Sequence, residues 1–196
     1  MALIFPEFCS RSPDLAKFAY LQKEKPHYLP ERISVNLSAR QFSNPQLIPM
    51  IKNVLRTQKI SPKQLELEIT ETGLIENIAE VCSTLHQLGD MGIQLAIDDF
   101  GTGYSSLGYL KDLPFNRLKI DKSFVDSCMF DYNSQSIIES IIGLAHRIGL
   151  EVTAEGVETI EQKQFLAKHQ CDEFQGYYFS PPISPEEFGS FFSQYH

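Results

Sequence analysis

The hydrophobic positions of this chain switch repeatedly between two periods. Apolar residues recur at every second position in "RISVNLS" (32–38), "LELEIT" (65–70), "IQLAIDDF" (93–100), "RLKID" (117–121), "LEVTAEG" (150–156) and "DEFQGYYF" (172–179), and each run predicts a strand. Between them, apolar residues three and four apart predict helices over 74–89 and 134–148. "NPQLIPMIKNVLRTQK" predicts another helix, with Asn44 as its N-cap and Pro45 at its first position. "TIEQ" and "SPEE" predict capping boxes, with Thr159 and Ser184 as caps. Strands alternating with helices predict an α/β fold on a parallel sheet.

The polar positions say more. One alternate set in each strand is apolar, as in Ile33, Val35 and Leu37. The other set carries Asn36 and Ser38, Glu66 and Glu68, Asp98, Arg117, Lys119 and Asp121, then Thr153 and Glu155. Alternate side chains of a strand lie on opposite faces. An antiparallel sheet with one wet face would show the same parity. The intervening helices favour crossover connections instead, which cover the apolar face and turn the polar set toward an enclosed, hydrated space. The mouth of a closed parallel barrel is such a space, and polar groups at its strand ends form a site.

Asn36, Glu68, Asp98, Asp99, Lys119 and Glu155 are expected at that mouth, with Gln175 from the last strand. Four carboxylates and an amide oxygen suit a hard cation, Mg2+ or Mn2+, and disfavour zinc. Adjacent Asp98 and Asp99 repel unless a cation or donors sit between them. The alternative for that pair is a cap on the following turn. Lys119 either orients water and neutralises developing charge or is a structural ion-pair partner. Glu71, whose parity differs from that of Glu68, is expected to support the site.

Composition narrows the classes. With 196 residues, 42% of them hydrophobic and 21% charged, the chain fits one ordinary globular domain. A formal charge of −8 disfavours polymeric nucleic acid and anionic membrane surfaces as partners. Cys9, Cys82, Cys128 and Cys171 are scattered, without zinc-ligand spacing, and are expected as reduced thiols. No apolar run approaches the roughly 20 residues that span a bilayer, and "MALIF" is too short for a signal peptide. The cytoplasm is the expected compartment.

Five segments carry a family resemblance: "SVNLSARQF", "LELEITET", "LAIDDFGTGYSSLGYLKDLPFNRLKIDKSFV", "TAEGVET" and "QGYYFSPPIS". In order and spacing they resemble the EAL domain family, the cyclic di-GMP phosphodiesterases of bacterial signalling. The resemblance implies a TIM-like (β/α) barrel whose first strand is antiparallel to the rest. It implies two Mg2+ or Mn2+ ions, with Asn36, Glu68, Asp98, Asp99 and Glu155 as metal ligands. Lys119, and Glu155 with it, would assist the attacking water, and Gln175 would complete the site. Glu71 would anchor the loop from Phe100 to Leu107, which includes Gly101, Thr102 and Gly103. That loop would link metal binding to homodimerisation. The implied reaction hydrolyses one phosphodiester bond of cyclic di-GMP to give the linear dinucleotide.

One departure qualifies this. The family's Glu-Ala-Leu motif, with its metal-binding glutamate and following arginine, occurs nowhere in the 196 residues. Residues 1–31 are expected as an atypical segment ending in a remnant helix, and 32–196 as the EAL-like domain, incomplete at its N-terminal strands and once part of a larger sensor protein. "ALIF" is expected as a surrogate strand, with Glu7 as a candidate at the mouth. Turnover is expected to be impaired, and the alternative is an inactive module that binds cyclic di-GMP or a protein.

Overall fold

The computed structural model describes residues 2–5, 32–103, 108–183 and 187. These form two compact units.

The first unit takes in the described residues up to Glu68, those of Ala79–Gln94 and those from Ile183 on. Its strands are β1 (Ala2–Phe5), β2 (Arg32–Asn36) and the first residues of β3 (Leu65–Thr70). They pair in parallel, with Leu3 opposite Ile33 and Ile33 opposite Leu65. Ala2–Phe5 therefore takes the strand position expected of "ALIF". Between β2 and β3 lie α1 (Ala39–Phe42) and α2 (Leu47–Gln58). Helix α2 buries Leu47, Ile51 and Leu55, a four-residue spacing that makes one apolar stripe. Its start differs from the expectation: Asn44 is not the N-cap. Asn44 accepts the Gln46 N–H at 2.9 Å through its side chain and the Leu47 N–H at 2.9 Å through its carbonyl. The Asn-Pro pair thus spends its hydrogen bonds on a turn before the helix.

Helix α3 (Glu71–Asp90) follows β3 and is broken at Asn77, whose φ of −128° is non-helical. There the Asn77 amide donates to the Gly73 carbonyl at 3.0 Å, competing with the helical ladder.

The second unit takes in Ile69–Ile78 and Leu95–Pro182. Strands β4 (Gln94–Phe100), β5 (Arg117–Ile120), β6 (Glu151–Ala154) and β7 (Glu173–Phe174) pair in parallel, in that order. The connections carry α4 (Gly108–Asp112), α5 (Lys122–Ser127), α6 (Tyr132–Arg147) and α7 (Ile160–Lys168). Helix α6 packs on α5, β5 and β6, burying Ile138, Ile142 and Ala145. Thr159 and Gln162 form the expected capping box on α7.

Every strand pair described is parallel, so an antiparallel sheet is ruled out for these residues. Of the polar parity set, Glu66, Glu68, Asp98, Arg117, Lys119 and Thr153 are buried, Asn36, Asp121 and Glu155 are half-buried, and Ser38 is exposed. The last strand is shorter than predicted. It stops at Phe174, and a turn over Tyr177–Phe179 follows, closed by the Phe179 N–H on the Gly176 carbonyl at 3.1 Å and tied to a remote segment by the Tyr178 N–H on the Val157 carbonyl at 2.9 Å.

Cys82, Cys128 and Cys171 are free thiols, the last two buried. Among the described residues no helix is long and apolar enough to cross a membrane. The expected remnant helix, Glu7, Cys9, the Ser184 box and the loop residues 104–107 lie outside the described residues.

Candidate metal centre

Consecutive strand residues point to opposite faces, so regular β4 geometry would separate Asp98 from Asp99. The register prevents this: Ile97 pairs with Leu118 but Phe100 pairs with Ile120, so the ladder shifts between them. Asp99 has a φ of +54°, the left-handed conformation that a short polar side chain tolerates. Carboxylate oxygens of Asp98, Asp99 and Glu155 consequently lie within 4.8 Å of one another. Glu155 follows directly after β6, its N–H bonded to the Ile120 carbonyl at 3.2 Å.

Lys119 enters this cluster from β5. Its Nζ is 2.9 Å from Asp98 Oδ1 and 2.7 Å from Glu155 Oε1, and the residue is buried. Burial, followed by the charges of Asp98 and Asp121, holds the Asp99 carboxyl above its usual range. The Glu155 carboxyl is also pushed up, first by burial and then by Asp98 and Asp99, with Lys119 opposing. Three carboxylates face one ammonium. Such a site favours further positive charge, and its oxygen donors suit a hard divalent cation.

The turn after Asp99 is held from below. Glu71, fully buried, accepts the Gly101 N–H at 2.9 Å. Gly101 has a φ of +98°, and a Cβ there would meet the Phe124 ring at 2.8 Å. Thr102 donates its hydroxyl to the Asp99 carbonyl at 2.9 Å. Gly103 lies beside the Glu71 carboxyl, where a Cβ would sit 3.5 Å from Glu71 Oε2.

Gln175 follows β7. With Lys122, Glu155, Glu158 and Tyr177 it lines a cleft of about 240 Å3. Lys122 Nζ binds Glu158 Oε1 at 2.7 Å across this cleft's rim. Lys122, Glu158 and Tyr177 are cleft residues absent from the expected site: the first two lie beyond the predicted strands, and Tyr177 falls where the predicted last strand turns instead. In the first unit, Asn36, the last residue of β2, is the register partner of Glu68, two residues before the end of β3, and Glu68 is buried.

Parity does not distinguish height along a strand, and the structure separates residues that share it. Arg117 opens β5 and pairs with Glu151, with Glu173 at 3.0 Å and with the Thr153 hydroxyl at 2.9 Å. Glu66 takes Ser34 Oγ at 2.7 Å and lies 3.3 Å from Arg32 Nε. Both residues stand two positions before Lys119 and Glu68 respectively, nearer the N-terminal ends of their strands. They make internal ion pairs and do not belong to the C-terminal set.

These features define a class: an α/β protein with an acidic, lysine-containing site at the C-terminal ends of parallel strands. The chain belongs to the EAL domain family, whose description its residues 13–182 match. It is 47% identical over 159 residues to the signaling protein YkoW of Bacillus subtilis, covering 81% of this chain and 20% of that protein. It is 40% identical over 155 residues to the bifunctional diguanylate cyclase/cyclic di-GMP phosphodiesterase MucR of Pseudomonas aeruginosa, covering 79% of this chain and 23% of MucR. The solved structure of the MucR phosphodiesterase in complex with cyclic di-GMP matches with a TM-score of 0.81 at 36% identity, over 88% of this chain and 69% of that one. A manganese/cyclic di-GMP complex of Klebsiella pneumoniae BlrP1 matches with a TM-score of 0.78 at 28% identity, over 89% of this chain and 44% of that one. The fold is accordingly the EAL-type α/β barrel class. The chain spans about a fifth of the length of the curated relatives it matches.

Proposed function

We propose that this chain binds cyclic di-GMP at a divalent-metal site and hydrolyses one of its phosphodiester bonds. The observation that carries the reading is the meeting of Asp98, Asp99 and Glu155 carboxylates within 4.8 Å, beside Lys119. Those carboxylates would hold Mg2+ or Mn2+, and the family resemblance adds Asn36 and Glu68 as ligands. A bound divalent ion supplies Lewis acidity toward a phosphodiester oxygen and makes a nucleophile of water at neutral pH.

The protein's own groups do the rest. Lys119 neutralises charge developing on the reacting phosphate and orients the attacking water. Glu155 holds Lys119 in place. Glu71, Gly101, Thr102 and Gly103 fix the turn that presents Asp98 and Asp99, and Gln175 completes the cleft wall. The resemblance further supports a homodimer formed through the loop after Gly103, to be read by light scattering during size exclusion. The free thiols support a reducing compartment, the cytoplasm.

A second reading rests on one fact: the 196 residues contain no Glu-Ala-Leu. Without that glutamate the chain as it stands would turn over slowly, or act as a module that binds the nucleotide without hydrolysis. Incubation with cyclic di-GMP and manganese decides. Linear dinucleotide that disappears with Asp98→Ala supports the enzyme. Calorimetric binding without product supports the module, and neither binding nor product overturns both.

A further inference from the structure

The Glu71 carboxylate touches both ends of one loop. Its Oε2 accepts the N–H of Gly101, just after the two aspartates, and its Oε1 faces the hydroxyl of Tyr109 at 3.4 Å. Tyr109 lies on α4 and is itself buried, beside buried Leu110 and Leu113. A buried carboxylate is stable only where donors meet its oxygens. Burial, then the Glu71 charge, pushes the Tyr109 phenol well above its usual range, so it remains a donor. On the far side of Gly101 the Phe124 ring leaves no room for even a Cβ. The turn is therefore bounded by a fixed ring on one side and by the Glu71 carboxylate on the other.

We propose that Tyr109 is a positioning residue for the Asp98–Asp99 turn, acting through the Glu71 carboxylate. The hydroxyl fixes one carboxylate oxygen so that the other stays aimed at Gly101. The Gly101 bond in turn holds Asp99 in the left-handed conformation that brings its oxygen toward Asp98 and Glu155. The consequence for ion binding rests on the metal reading above; the hold on the turn does not.

Tyr109→Phe tests this, because it removes one hydroxyl and keeps the ring that packs. NMR amide exchange at Gly101 is expected to quicken about tenfold, and manganese affinity, read by the spin resonance of free Mn2+, to fall about three- to tenfold. Tyr132→Phe, at an exposed tyrosine, should change neither. Glu71→Gln probes the same contact from the other side, and adding Tyr109→Phe to it should weaken manganese binding little further. Unchanged Gly101 exchange in Tyr109→Phe overturns the proposal whatever the metal does. Faster exchange with wild-type manganese affinity, or full additivity with Glu71→Gln, overturns it as well. A wild-type chain that binds no manganese while Gly101 still responds sinks the metal reading and upholds the Tyr109 contact.

Discussion

Asp98 and Asp99 are neighbours in sequence, and a residue set at φ +54° brings both carboxylates to one side with Glu155. The arrangement spends backbone strain and like-charge repulsion to gather oxygens, and it makes the identity of residue 99 a conformational matter as well as a chemical one.

Asp99→Asn keeps a side chain that accepts positive φ and removes the charge. Its melting temperature should stay near wild type while manganese binding weakens about tenfold or more. Asp99→Val adds a β-branched side chain in the same conformation and should cost a further 1–3 kcal/mol or so of stability. Equal melting temperatures for the two variants, by calorimetry, would show that the turn does not need the left-handed conformation.

The Lys119 ammonium bridges Asp98 and Glu155, two members of the three-carboxylate cluster. Lys119→Met keeps much of the stem and leaves Asp98 and Glu155 without their partner. Loss of one side of a buried ion pair costs about 3 kcal/mol or more. Manganese should recover part of that loss, since ligand binding to the folded state alone stabilises it. Turnover, where the wild type shows it, should fall about 100-fold or more. Melting curves with and without manganese check the first two outcomes, and a manganese-independent loss would place Lys119 outside the ion's reach.

Much of this was legible from periodicity alone, for a physical reason. Strands β2 to β6 alternate because apolar side chains pack on one face and polar side chains occupy the other, so the buried Ile33, Leu67, Leu118 and Val152 mark them. The cluster of Asp98, Lys119 and Glu155 follows from the same parity. Asp99 does not: a period of two assigns it to the other face, and only the register shift after Ile97 reverses that. Height along the strand is equally invisible to parity: Arg117 and Glu66 share the parity of Lys119 and Glu68 but make ion pairs nearer the strand starts. Tyr177, Tyr178 and Phe179 have strand-forming side chains, yet Gly176 lies so near the Val157 backbone that the chain turns instead. Residue type sets propensity there, and a contact between remote segments decides the outcome.

Gly176 and Gly143 make a matched pair of substitutions. A Cβ on Gly176 would lie 2.2 Å from the Val157 carbonyl oxygen, and backbone cannot swing aside as a side chain does. Gly176→Ala should destabilise by about 2–3 kcal/mol and distort the cleft wall next to Gln175. Gly143 lies within α6 with nothing within 4 Å of a new Cβ. Gly143→Ala should stabilise by roughly 0.5–1 kcal/mol through helix propensity, a rise of about 2 °C or more in melting temperature. A Gly176→Ala protein as stable as wild type would contradict the close approach.

The acid limb of the stability curve tests a helix cap remote from the site. Asp131 caps α6, accepting the N–H groups of Asn133 at 3.0 Å and Ser134 at 3.1 Å and the Ser134 hydroxyl at 2.7 Å. The Ser134 hydroxyl, followed by the Asn133 amide, holds the Asp131 carboxyl below its ordinary value of 3.8. A carboxylate with a depressed folded-state value binds protons less readily in the native than in the unfolded chain. Its stabilising contribution is therefore complete above the ordinary value and is lost as pH falls through the depressed one. Asp131→Asn retains an oxygen for capping but cannot titrate, so its stability should match wild type more closely at low pH than near neutrality. Urea unfolding from pH 6 downward measures both slopes. A variant whose stability runs parallel to wild type across that range would show that proton uptake by Asp131 is not linked to unfolding.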